Sequence, residues 1–498
     1  MIRRLLVMVC CFALPLVTGC SDPGGSQVAP ATPAQVEAQR RDVAQRLFDN
    51  AVDSLNRLGD YDEGRADSAV AQVVRRLNES LETGVLDGEK AEPFTSEDGK
   101  FLRELVWLRE AARHAVGNET DVRRRAELLF DWTTRNLQLI PADKPGDERL
   151  PYLPWHLLLL GRGTSLDRGW LFLQLARQQG LDVVLLSAAE SKPDPLQATV
   201  WPALLDGGQL YVFDSRLGTP LPAKDDKAIA TLAAIRENDA LLRALDIGDR
   251  KYPLTAAEAA KLTAYVDTSS QFLSPKFARL GRLLSGESKL VLDVDQDALV
   301  ADLKKCPGVG EVKPWPLRDE RFAAGREKAA YDQLLVKLLP FRTLVLDSGS
   351  RRMPSPLWTP RVRQIVGNYG EAGGTEAPLT RLFQDARPSE AELQNLRSDA
   401  EMWSYAYRVK QNATYWLALV SYDSKHYDTA VQYLQLVLKD EANGGWTTGA
   451  RYNLGRCYEA AGKKSDAITA YRSTVLGVPP DDACLFRAKR LESATSAE

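Results

Sequence analysis

The stretch GRGTSLDRGWLFLQLARQQGLDVVLLS, residues 161–187, decides the reading of this chain. From Ser165 to Gln179 the apolar residues Trp170, Leu171, Phe172, Leu173, Leu175 and Ala176 cover most of a helical circumference, which predicts a largely buried helix. Thr164 and Ser165 stand where a helix start favours a hydroxyl, and Asp167 complements the positive end of the helix dipole. Gly180 is a stop signal, and Asp182 to Ser187 reads as a short apolar strand. Further on, Thr199 to Leu205 and Leu210 to Asp214 flank Asp206-Gly207-Gly208, the pattern of a tight hairpin. Pro202 lacks an N–H, so the first of these strands is expected at an edge or a bulge.

The sequence on both sides of this stretch has helical periodicity, and the expected class is α+β, predominantly helical. Residues 37–145 form an N-terminal helical region, with Val43, Leu47, Phe48, Ala51, Val52 and Leu55 at helical spacing and Leu128, Leu129, Trp132 and Leu137 on its last helix. Residues 146–225 form the core that holds the buried helix and the hairpin, and residues 226–286 read as a helical insert. Residues 287–318 read as a small β-α-β unit: strand Lys289 to Val294, helix Asp297 to Lys305, strand Gly310 to Lys313. Residues 319–388 form a connector with a helix over Arg321 to Leu339, then an irregular stretch. The glycines of Gly370-Glu371-Ala372-Gly373-Gly374 lack a phosphate-loop lysine and read as a loop. Glu390 to Tyr407 is a further helix.

The first nineteen residues look like a targeting segment: Arg3 and Arg4, then an apolar run from Leu5 to Val17, shorter than the roughly 20 residues a membrane span needs. Val17-Thr18-Gly19-Cys20 resembles the lipobox of bacterial lipoproteins, which implies that Cys20 is acylated, and residues 20–36 read as a flexible tether. Ser21 after the cysteine resembles the outer-membrane retention pattern and implies an envelope location facing the periplasm. Net charge is −3 with acids and bases interspersed, so no nucleic-acid surface is expected. Beyond Cys20 only Cys306, Cys457 and Cys484 follow the targeting segment, without a CxxC, so neither a zinc site nor a disulfide framework is expected. The spacing leaves open a single bridge between Cys457 and Cys484 or free buried thiols. No metal and no cofactor is called for.

At the C-terminal end, residues 389–498 contain two similar helical hairpins, Asn412 to Glu441 and Gly445 to Pro480. Leu417-Ala418 aligns with Leu454-Gly455 and Ala430 with Ala467, each 37 positions apart (454 − 417). The run Leu454, Gly455, Tyr458, Gly462, Ala467, Tyr471, Pro479 closely resembles the tetratricopeptide repeat (TPR), whose period is about 34 residues. Its packing logic is plain: Gly455 and Ala467 allow paired helices to approach, and Tyr458 and Tyr471 fill the space between pairs. Since about three repeats are needed for a stable stack, the helices on either side are expected to complete it.

The segment Arg162 to Pro222, preceded by Trp132 and Asn136, resembles the transglutaminase-like core of papain-type enzymes. That family places a nucleophilic cysteine at a helix start, then a histidine and an aspartate on the following strands. Counting from Gly180 and from Asp214, these positions fall on Ser165, Ala198 and Asp214, and no histidine lies between His156 and His426. The departures matter chemically. A helix end contributes at most about 2 kcal/mol, enough to help a thiol of intrinsic pKa near ~8.5 to ionise but not a serine hydroxyl. Serine needs an adjacent base, and alanine is not one.

The resemblance therefore implies a pseudoenzyme: a cleft for extended polypeptide without chemistry. Arg168, Trp170, Trp201 and Tyr211 are its candidate lining, with a core role as the plainer reading of each. Gly163-Thr164-Ser165-Leu166-Asp167 also fails the G-x-S-x-G elbow at its last position. Three functions remain in play: a non-catalytic envelope scaffold binding a protein or peptide partner, a hydrolase or acyltransferase using Ser165 with His156 as base, and a purely structural or dimerising helical protein.

Overall fold

The computed structural model describes residues 32, 35, 46, 63–82, 92–140, 150–224, 228–286, 289–342, 344–346, 351–353, 355–370, 377–439 and 445–496. The targeting segment, Cys20, the tether, the apolar positions from Val43 to Leu55 and Glu371 to Gly374 lie outside them.

The N-terminal side is built from α1 (Glu63–Glu82), α2 (Ser96–Val116) and α3 (Val122–Asn136). A Thr95–Asp98 capping box opens α2 and Asp121 caps α3. Then come β1 (Gln138–Leu139), α4 (Pro154–Leu160), β2 (Arg162–Gly163), α5 (Ser165–Gln178), β3 (Val183–Ser187), β4 (Trp201–Asp206), β5 (Gln209–Asp214) and β6 (Thr219–Pro220). Short turns of helix α6 (Leu232–Glu237), α7 (Asp239–Arg243) and α8 (Ala256–Ala259) lead to β7 (Thr263–Asp267), α9 (Pro275–Leu283), α10 (Gln296–Leu303) and β8 (Glu311–Trp315).

One mixed sheet of order β6-β5-β4-β3-β7-β8 organises this half of the chain. All its pairings are antiparallel except β7 with β8. The β4–β5 turn carries Gly207 and Gly208 at φ 56° and 73°, the left-handed pair a two-residue hairpin demands. Side-chain alternation divides the sheet into two buried faces. Val183, Leu185, Leu204, Tyr211, Phe213 and Tyr265 join α2, α3 and α5 in the main core. Val184, Leu186, Trp201, Ala203, Leu210, Val212, Ala264 and Val266 face a second core closed by the segments around α6 to α8 and by α10.

The sheet differs from the sequence reading in three places. Pro202 sits on an interior strand, neither at an edge nor in a bulge. Leu205 donates to Asp182 O on the β3 side, so alternation turns position 202 towards β5. The β4–β5 ladder ends at Ala203↔Val212, and the missing N–H therefore costs no rung. Residues 226–286 are not wholly helical, because Thr263–Asp267 is a central strand. Lys289 to Val294 has no strand partner among the described residues: its backbone at Val291 bonds to the Gln178 side-chain amide, which donates to Val291 O and accepts from Val291 N. The expected β-α-β unit is therefore a parallel β7–β8 crossover within the large sheet.

After β8 run α11 (Leu317–Gly325), α12 (Lys328–Leu338), the β9–β10 ribbon (Leu344–Leu346, Arg351–Met353), α13 (Trp358–Ile365), α14 (Leu379–Ala386) and α15 (Glu390–Asn395). The single helices expected over Arg321 to Leu339 and over Glu390 to Tyr407 are each broken, the second by Asp399, which caps α16 (Ala400–Asp423). The chain closes with α17 (Tyr427–Lys439), α18 (Thr447–Ala460), α19 (Lys464–Arg472) and α20 (Asp481–Ser496). One main core draws on residues from Val70 to Ala470, so the described residues from 63 to 496 pack as one unit. The architecture is a predominantly helical α+β fold.

Candidate functional site

The start of α5 is where the resemblance puts a nucleophile. Thr164 is the N-cap: Asp167 N–H donates to its hydroxyl at 3.2 Å, while Thr164 N–H donates to Asp167 Oδ2 at 2.7 Å. The other oxygen, Asp167 Oδ1, is ion-paired with Arg321, whose guanidinium also donates to Pro195 O and Tyr152 O and lies over the Trp170 ring. Asp167 and Arg321 are buried. The positive helix end thus faces a carboxylate of its own chain, itself neutralised by an arginine from 154 positions away. No local signal in the sequence identified Arg321 as that partner.

Ser165, the first helical residue, is half-buried, and its hydroxyl has no hydrogen-bond partner among the described residues. His156 does not serve it. The ring is buried, its Nδ1 accepts from Leu153 N–H at 3.0 Å, and burial followed by the nearby Arg318 and Arg103 charges pushes its pKa down to about 3. An imidazole held this way is neutral and has its Nδ1 lone pair occupied.

Of the other two family positions, Asp214 turns away from Ser165. Ala198 lies in the loop before β4, half-buried against the main core. Asp214 aims at the opposite face of the sheet: Phe213 packs with Phe172 of α5 and Phe130 of α3, so its neighbour in the strand points away from α5. On that far side Asp214 Oδ1 accepts Arg216 N–H and Leu217 N–H, each at 2.7 Å, and Oδ2 accepts the Tyr252 hydroxyl. Tyr252 in turn accepts Trp201 Nε1–H at 2.8 Å. Burial first, then the Asp214 charge, raises the Tyr252 pKa well above its ordinary value, so the hydroxyl stays a donor.

The expected cleft lining is core instead. Arg168, Trp170, Trp201 and Tyr211 are all buried. Arg168 ties together Ser215 O (2.8 Å), Leu137 O (2.7 Å) and Thr134 O (3.4 Å), fastening α5 to β5 and the end of α3.

In the C-terminal hairpins the expected packing positions meet. Gly455 lies against the Tyr471 ring, and Ala467 and Tyr471 are fully buried. Gly462 takes φ 72° in the turn between α18 and α19. Leu454 joins the main core, Tyr458 packs at its margin, and Pro479 lies in the connection to α20. Cys457 and Cys484 are free, with burial pushing both thiols up to about 12, and Cys306 is free and buried as well.

The first helices of the two hairpins are docked on the chain's own α3. Asp131 pairs with Arg456 at 2.7 Å and Arg135 at 3.0 Å, and Arg135 pairs with Asp423 at 2.6 Å beneath Tyr422. Burial opposes ionisation of Asp131, but Arg456 and Arg135 outweigh it and hold the carboxyl below its usual range. Asn453 donates to Arg135 O and Gln138 to Gly445 O.

An open groove of about 370 Å³ remains further along, between α15, the first half of α16 and the end of α17. Trp403 and Tyr407, four apart on α16, stack with ring centroids 4.9 Å apart and form one wall. Arg387, Arg397, Lys410 and Lys439 line it against a single described carboxylate, Glu390, which is ion-paired with Lys410. Sequence reading missed this groove: the aromatic pair at helical spacing was a visible signal, its basic surroundings were not. Among the described residues no group of three or more His, Cys, Asp or Glu side chains is placed to hold a metal ion, and no helix is long and apolar enough to cross a membrane.

These features define a helical α+β protein ending in stacked helical hairpins. The family model of the tetratricopeptide repeat matches residues 450–475, from within α18 to just beyond α19. The chain therefore carries a TPR repeat, a module that supports a protein-binding or scaffold role. No curated protein and no solved structure matches the chain.

Proposed function

We propose that this protein is a non-catalytic scaffold of the bacterial envelope, tethered through an acylated Cys20 and presenting its TPR hairpins to a protein partner. The observation that carries the non-catalytic part is the closed start of α5, where Asp167 and Arg321 occupy the helix end and Ser165 has no base among the described residues. The repeat at residues 450–475 supports the partner-binding part. The likeness of α5 and β3–β5 to a degenerate transglutaminase-like core rests on the order of elements, a buried helix followed by antiparallel strands; the side on which Asp214 points weighs against it.

Docking of the hairpins on α3 favours a second reading, in which they only buttress their own chain. Site-specific photo-crosslinking in intact envelopes separates the two. A crosslinker at exposed Leu436 should give one defined adduct, and one at Lys313 on the sheet edge should give none. Equal labelling at both positions, or none, leaves the structural reading. Cys20→Ala should release the protein from the membrane fraction; a variant that stays there refutes the anchor.

A further inference from the structure

The groove beside Trp403 has the composition of a binding site rather than of a packing defect. Its floor is apolar, with buried Leu393 and Val437 and the exposed side chain of Leu436 at the rim. Four cations face one carboxylate among the described lining residues. Arg397 and Lys439 are exposed and pair with no described carboxylate. Lys410 differs: its side chain is largely buried while the carboxylate it holds, Glu390, is 84 % exposed. An exposed glutamate held by a shielded ammonium is a stand-in that an incoming carboxylate can replace without stranding a charge, since water takes up Glu390.

We infer that this groove binds an acidic peptide segment of a partner protein, with an apolar side chain seated against Trp403 and Leu393 and flanking carboxylates on Arg397, Lys439 and Lys410. The inference rests on the partner-binding reading above and names the partner's chemistry and the surface that receives it. The surplus of positive charge steers acidic sequences in and rejects basic ones. Cations at a partly exposed rim work through solvent, so binding weakens with salt. The volume admits two or three side chains, not a folded domain, which points to a short linear segment.

The test uses the full chain and a fluorescein-labelled peptide Glu-Asp-Glu-Leu-Phe-Glu-Asp-Glu, read by fluorescence anisotropy. The acidic peptide should bind, and raising salt from about 0.05 to 0.5 M should weaken it several-fold. The same peptide with lysine at every acidic position, or with the amides Gln and Asn, should not bind. Arg397→Glu with Lys439→Glu should lower affinity by about tenfold or more. Glu390→Gln removes the internal competitor and should raise affinity, an outcome a merely structural role for Glu390 does not produce. Thermal melting checks that both variants are folded; both changes fall on exposed side chains outside the capping pair Ser389–Glu392. Equal binding of the lysine or amide peptides, no binding of the acidic one, or unchanged affinity in either variant overturns the assignment. Crosslinked adducts at Leu436 that persist in the Arg397→Glu, Lys439→Glu protein overturn this groove while leaving the scaffold reading in place.

Discussion

At the scale of single residues, the start of α5 shows how one carboxylate removes a reaction site. Asp167 satisfies two donors of Thr164 and the guanidinium of Arg321 at once, in surroundings that exclude water. Deleting one partner of a buried ion pair strands the other, which costs about 3–5 kcal/mol. Asp167→Ala should therefore lower unfolding stability by that order in urea titrations, whereas Ser165→Ala should stay within about 0.5 kcal/mol of the parent. A large loss from Ser165→Ala would show that its hydroxyl has a buried partner. His156 gives a pH signature. Folding depresses its pKa to about 3 from an ordinary 6.5, so the unfolded chain takes up the proton first. The neutral ring's contribution is complete above pH 6.5 and is lost as pH falls towards 3, with a slope of at most about 1.4 kcal/mol per pH unit. His156→Asn keeps an acceptor for Leu153 N–H without that titration. The parent should lose more stability than His156→Asn between pH 7 and pH 4.5, as read from urea midpoints; parallel losses would refute it.

At the scale of elements, the TPR hairpin depends on contact between a glycine and a tyrosine ring. A Cβ at Gly455 would fall among the Tyr471 ring carbons, and that ring is fully buried with no room to retreat. Gly455→Ala should cost about 1–3 kcal/mol from overpacking, despite alanine's better helix propensity. Pairing it with Tyr471→Leu should restore part of the loss, and thermal melts of the three variants check this. The hairpin was legible because the small and aromatic residues that make it work recur at a fixed offset. The strand β7 was not legible: Thr263–Asp267 is five residues long, stands between helical turns and is buried on both faces, so no alternation marks it. Lys289 to Val294 failed in the opposite sense. Its alternation is that of a strand, yet Gln178 supplies the hydrogen bonds a neighbouring strand would have made.

At the scale of the whole molecule, the C-terminal helical hairpins are not an appended module. Trp416, Leu417, Val420 and Leu454 share the main core with Leu129 of α3 and Leu171 of α5. On the other side of the sheet, α20 puts Phe486 into the second core, and Asp481 and Asp482 pair with Arg250 and Arg216. Ending the chain at residue 389 should expose the α3 face and leave a species that aggregates and binds a hydrophobic dye. Residues 44–498 should unfold in one calorimetric transition. A soluble, cooperatively folded 1–389 fragment would disprove this coupling.

The local features were written in the sequence: the buried helix after Gly163, the Gly207-Gly208 hairpin, the Thr164 cap, and the helical hairpins after Asn412, the second carrying the TPR repeat. Each rests on spacings within one or two turns of chain, where period and side-chain size act directly. Only the tertiary structure decided that Arg321 closes the start of α5, that Asp214 turns to the far face, and that the hairpins dock on Asp131 and Arg135. Those outcomes depend on which distant residue reaches a buried charge. In a medium that tolerates no unpaired ion, the partner is set by how the whole chain packs, not by anything written beside it.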